Sequence, residues 1–150
     1  MFSWKTCISV GALIILTGCQ GGPPLPFQPR NVVHVGDFHL EMKWCTVSSD
    51  RNAECLLEMR SLQQDKKAGL AYPTMQDDKG KEHRMTSKDT PIGGLLMVAK
   101  ETYTTHLTAT NLPAYTTHVR SVAGTFVAWL PDGTRVLHKK LVFADIPAKP

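Results

Sequence analysis

Between Phe38 and Thr46 the chain alternates: Phe38, Leu40, Met42 and Trp44 stand against His39, Glu41, Lys43 and Cys45. A period of two is the signature of a half-buried strand. Cys55-Leu56-Leu57-Glu58-Met59-Arg60-Ser61-Leu62 reads as its partner. The two runs conflict once they are paired through their cysteines. With Cys45 opposite Cys55, Trp44 meets Leu56, Lys43 meets Leu57 and Glu41 meets Met59. A slip of one residue carries every side chain to the other face, so the pattern predicts a bulge near Trp44-Cys45 or a twisted register.

Further strand-like runs follow at turn-punctuated spacing. Leu70 to Met75 precedes Asp77-Asp78-Lys79-Gly80, a turn signal with glycine at its end, and Lys81 to Met85 continues beyond it. Gly93-Gly94 leads into Leu95 to Val98, and Tyr103 to Ala109 alternates again. The long apolar segment Thr117 to Leu130 ends at Pro131-Asp132-Gly133, a hairpin turn, and Arg135 to Phe143 returns. Gln63 to Gly69 is the one stretch that would suit a turn of helix, and a loop fits it equally. About seven short strands at roughly 8–12-residue spacing predict an all-β fold, an immunoglobulin-like antiparallel β-sandwich. Trp44 beside the cysteine position suits a tryptophan packed near a bridge in such a core.

The N-terminus carries a different message. Met1 to Ser9 holds one charge, Lys5, and an apolar run from Cys7 to Leu16 follows. That is the layout of a secretory signal. A membrane span needs roughly 20 apolar residues, and this run is far shorter before Gly18, Gln20 and Gly21-Gly22 break it. Leu16-Thr17-Gly18-Cys19 resembles the lipobox of bacterial lipoproteins. The resemblance implies cleavage before Cys19, a diacylglyceryl group on its thiol and, since Gln20 rather than Asp follows, sorting to the outer membrane with the domain in the periplasm. Acyl chains contribute about 0.8 kcal/mol per buried CH₂, so a triacylated cysteine anchors stably. Gly21 to Arg30 has four prolines in ten residues, which favours an extended tether of about 25–30 Å. The expected organisation is a signal over 1–18, lipidated Cys19 with its tether over 19–30, and one domain over 31–150.

Of the four cysteines, Cys7 then leaves with the signal and Cys19 is lipidated, so Cys45 and Cys55 remain. A pair exported to an oxidising compartment is most simply a disulfide. The nine intervening residues, Thr46 to Glu54, suit a bridge between neighbouring strands. Zinc sites favour closer cysteines with a second pair downstream, and neither is present. The formal charge of +4 is scattered, its longest basic runs being the pairs Lys66-Lys67 and Lys139-Lys140. Nucleic-acid footprints are clustered, which argues against a nucleic-acid partner.

Taken together, Phe38-His39-Leu40-Glu41, Cys45, Cys55 to Leu62 and Asp77-Asp78-Lys79-Gly80-Lys81-Glu82-His83 resemble the opening of telokin-like immunoglobulin-fold domains of bacterial lipoproteins. Thr108-Ala109-Thr110-Asn111-Leu112-Pro113 and Leu141 to Pro147 extend the likeness over most of 31–147. Glu82-His83, where an aromatic is often seen, departs from it. The resemblance implies a domain that binds partners or ligands, with no catalytic residues to carry over.

Chemistry is sparse in the sequence. There is no Gly-x-Ser-x-Gly, no His-Glu-x-x-His and no phosphate loop, so the chain reads as a non-enzymatic binding or assembly module without a cofactor. Its lipid reaches the membrane and an envelope protein is the expected partner. Candidate contacts are Ser49, Asp50 and Arg51 in the Ser48 to Ala53 loop, Asp132 at the tip from Pro131 to Thr134, and Trp129 as an anchor. The alternative is a copper-handling lipoprotein built from His83, Met85, His34, His39 and Met42, because thioether and imidazole ligands suit copper. Methionines at strand positions more commonly fill a core.

Overall fold

A computed structural model describes residues 30–90 and 94–150 of the chain. The expected signal, the lipobox with Cys19 and the tether up to residue 29 lie outside the described residues. Ten strands make two packed antiparallel sheets, and no helix occurs among the described residues. The all-β sandwich is as the sequence predicts, with more strands than the expected seven or so.

The first sheet holds β1 (Val32–Val35), β2 (Phe38–Val47), β3 (Ala53–Ser61), β8 (Thr102–Ala109) and the two-residue β6 (Thr86–Ser87). Its order is β1-β2-β3-β8-β6. The second sheet runs β10 (Arg135–Ala144), β9 (Ser121–Trp129), β4 (Lys66–Gln76), β5 (Glu82–Arg84), and β7 (Leu95–Met97) also pairs with β4. Gln63 to Gly69 does not coil: β4 already begins at Lys66. Strands β1 and β6 are too short to announce themselves by periodicity.

The predicted register conflict is resolved by one residue. Cys45 faces Cys55, Trp44 faces Leu56, and then Met42 faces Leu57 and Leu40 faces Met59. Lys43 is the extra residue, a bulge that restores the inward face on both sides of it. Met42, Cys45, Cys55, Leu57 and Met59 are all buried as a result. Cys45 and Cys55 form a disulfide between neighbouring strands of one sheet. Trp44 is therefore turned away from the core. It lies half-buried on the outer face, with Lys149 Nζ 4.6 Å from its ring centroid and the His106 ring nearby.

Between the sheets, Phe38 and Phe126 meet edge to face at 5.0 Å, in one core cluster with Leu40, Leu107, Val122 and Phe143. A buried ion pair joins the sheets as well: Lys66 on β4 reaches Asp37 in the turn between β1 and β2, under the Phe38 ring. Strand directions set two ends. One carries the β2–β3 loop, the β4–β5 turn and the segment 110–120; the other carries the β9–β10 tip and the turn at Asp37. Arg30 joins the first end, where its carbonyl accepts the Ala144 amide at 3.0 Å.

Candidate functional site

The outer face of the second sheet has an irregularity at its centre. Between Ala71 and Thr74 on β4, Tyr72 and Pro73 stand opposite the single residue Gly124 of β9. Proline inside a strand is tolerated at bulges and edges, where no ladder donor is required. Tyr72 takes a φ of 50°, a left-handed conformation that costs an aromatic residue about 1–2 kcal/mol. Gly124 makes room for the bulge, since a Cβ there would come within 2.7 Å of Leu70 Cγ.

This backbone throws the Tyr72 ring out to 79% exposure. Val142 of β10 is 60% exposed on the same face, with Ala123 of β9 opposite it in register. These residues line an open groove of about 380 Å³ whose floor includes Ala123, Gly124 and Thr125. Lys140 on one side and Glu82 on the other give it a charged rim of both signs. An exposed apolar pair with small residues beneath and charges around it has the anatomy of a binding patch.

Trp129 ends β9 on this same outer face, half-buried, beside a second recess of about 160 Å³ with Gly69, Thr90 and Gly94. Gly94 has a φ of 88°, and a Cβ on it would meet the Ala68 carbonyl oxygen at 3.0 Å and the Trp129 ring at 3.1 Å. Trp129 is thus packed against backbone on one side and open on the other.

The loop residues fall elsewhere. Ser49 and Asp50 are exposed, and Arg51, with a φ of 60°, uses its carbonyl to accept the Leu112 amide at 2.9 Å. Asp132 accepts the Thr134 amide at 2.8 Å, which holds its carboxyl below the usual range. The two loops sit at opposite ends of the sandwich, so Ser49, Asp50 and Arg51 are not brought together with Trp129 and Asp132.

The five residues of the copper alternative are not all brought together: only His34 and His39 meet. Met42 and Met85 are buried, while His34 and His39 lie on the outer side of β1 and β2. His83 belongs to another cluster, where its Nε2–H donates to Asp77 Oδ2 at 2.8 Å. The same oxygen accepts the Tyr115 hydroxyl at 3.0 Å, and Oδ1 accepts the amides of Lys79 and Lys81 at 2.9 and 3.0 Å. Burial alone pushes the Asp77 carboxyl up, yet these four hydrogen bonds outweigh it and hold the carboxyl well below its ordinary range. Next to it, Asp78 accepts the Thr117 amide at 2.6 Å and pairs with His118. The Thr117 bond leads the downward shift of Asp78. Burial and then Asp77 push the Tyr115 phenol up. Every oxygen of Asp77 is occupied, so this cluster pins the β4–β5 turn to the 113–118 segment and leaves no acceptor for a ligand.

Sequence reasoning missed the exposed pair Tyr72 and Val142. The available signal was Tyr72-Pro73 inside an otherwise strand-like run, which marks a bulge.

The fold and the groove define a β-sandwich with an exposed apolar patch on one outer face. No protein-family model matches the chain, and no curated protein does. Among solved structures, the X-ray structure of Northeast Structural Genomics Consortium target SoR45 is similar over 79% of this chain and 89% of its own, at 12% identity and a TM-score of 0.44.

Proposed function

We propose that this chain is a bacterial envelope lipoprotein whose sandwich serves as a non-enzymatic binding module, with the Tyr72–Val142 face as its contact for an envelope protein. The observation that carries this reading is the strained left-handed backbone at Tyr72, which presents a large aromatic ring to solvent on the same face as Val142. Strain of this kind persists where surrounding structure over-determines it, and it clusters at functional positions. The lipobox at Leu16-Thr17-Gly18-Cys19 and the secretory layout before it support the anchored state and the periplasmic, outer-membrane location. The resemblance to telokin-like domains points to the same class of role. Anchoring at Cys19 would confine the search for a partner to two dimensions.

The test is a crosslinked pull-down from membranes with three forms: the native chain, Cys19→Ala and Tyr72→Asn, read by mass spectrometry. The reading expects a protein captured by the native chain and lost with either substitution. Equal capture by the Tyr72→Asn form would move the contact to another surface. Unchanged membrane retention of the Cys19→Ala form would remove the lipoprotein assignment.

A further inference from the structure

His34 and His39 face each other across the hairpin formed by β1 and β2, whose two-residue turn, Gly36-Asp37, fixes the register. Their rings are 4.7 Å apart, and His39 Nδ1 lies 3.4 Å from His34 Nε2. Metal–imidazole bonds are about 2.0–2.1 Å, so two nitrogens sharing a tetrahedral or square-planar ion stand about 2.8–3.4 Å apart. The pair therefore already has the separation of two cis ligands. Neither imidazole is committed to the core, since both project on the outer face of the sheet.

The surroundings carry both signs of charge. Glu41 lies on the same face, with Oε2 3.9 Å from His39 Nε2, the ring nitrogen that the metal would leave free. At that distance the carboxylate supplies a nearby negative charge rather than a hydrogen bond to the ring. Lys43 Nζ holds the other oxygen of Glu41 at 3.1 Å, which fixes that carboxylate in place. Glu58 faces Glu41, and Arg60 faces His39, on the neighbouring strand.

We infer that His34 and His39 form a two-histidine site for a divalent transition-metal ion that prefers imidazole, with Cu²⁺ held most tightly in the usual order of affinities. Two protein ligands leave the remaining positions to water or to a ligand from another molecule. No group of three or more histidine, cysteine, aspartate or glutamate side chains placed for a metal occurs among the described residues, so the proposed site has two protein ligands. The site stands on its own geometry and does not depend on the Tyr72 face.

The experiment is a Cu²⁺ titration of the purified full chain, followed by electron paramagnetic resonance and calorimetry. The native chain is compared with His34→Asn, His39→Asn, Glu41→Gln and, as a control histidine, His138→Asn. The site predicts nitrogen hyperfine structure from two imidazoles, a loss of affinity of about tenfold or more in either His34 or His39 variant, and a smaller loss for Glu41→Gln. His138→Asn should bind like the native chain. Circular dichroism confirms that each variant is folded. A titration in which His34→Asn and His39→Asn bind as the native chain does, or in which the native chain binds no copper, overturns the site.

Discussion

His83 Nε2 stands 2.8 Å from Asp77 Oδ2, and this contact ties strand β5 to a carboxylate with no exposed surface. Asparagine at position 77 would offer one acceptor oxygen and an amide that can only donate. Two of the four donors from His83, Tyr115, Lys79 and Lys81, those that share the replaced oxygen, would then face another donor. Asp77→Asn should lower the melting temperature by several degrees and loosen the 113–118 segment, read by hydrogen exchange at Tyr115 and Thr117. Unchanged protection there would show that the clasp is incidental.

The same carboxylates set an acid limit. Asp77 and Asp78 both have folded-state values below their unfolded ones, Asp77 most strongly. Their stabilising contribution is complete above the unfolded carboxylate value of about 3.9 and is lost as pH falls below it toward the folded values. Urea midpoints should hold steady from neutral pH to about 5 and decline below about 4. The Asp77→Asn form should show a shallower decline, and an identical slope would assign the acid sensitivity to other groups.

Deleting Lys43 removes the extra residue that reconciles two inward faces. The chain must then misplace either Phe38, Leu40 and Met42 or the Cys45 thiol. The deletion variant should lack either the cooperative unfolding transition or the disulfide, the latter counted by thiol titration. Keeping the bulge and removing the bridge instead, as Cys45→Ser with Cys55→Ser, should cost about 2–3 kcal/mol of stability while leaving the transition cooperative.

At the centre of the sandwich, Phe126→Ala deletes the ring that meets Phe38 from the opposite sheet. Its expected cost is about 3–5 kcal/mol, measured as a drop in the urea midpoint with an unchanged slope. A loss under about 1 kcal/mol would mean that the core collapses into the cavity. Tyr72→Asn should behave oppositely. Asparagine tolerates the left-handed backbone, so stability should stay level or rise by up to about 1 kcal/mol.

Much of the architecture was readable from residue order. The alternation of Phe38 to Cys45 against Cys55 to Ser61 predicts both the hairpin and the fault in it, because sheet pairing has a period of two and one residue cannot be hidden. The turns at Asp77 to Gly80 and at Pro131 to Gly133 close as expected, with Gly80 and Gly133 donating back to Asp77 and Leu130 at 2.9 Å each. Candidate contacts were less legible. Loop residues such as Ser49 and Asp132 attract attention because their types are polar and turn-forming. Tyr72 is placed by a register relation with Gly124, and a sequence does not display which strand lies beside which. The meeting of His34 with His39 depends in the same way on a short hairpin that periodicity is too brief to reveal. The outward turn of Trp44 is hidden for a related reason: the bulge at Lys43 places both residues on the outer face.

The bond between Arg30 and Ala144 bears on how the domain carries load. A pull on the chain from its N-terminal side reaches the sandwich at Arg30, whose carbonyl is tied to β10, and then at Asn31, whose backbone and side chain are both tied to Met42 of β2. Those strands belong to different sheets. Tension is therefore divided between both layers from the first residues onward, and it tends to draw them together rather than unzip one hairpin. A domain wired in this way resists being peeled open from its N-terminal end.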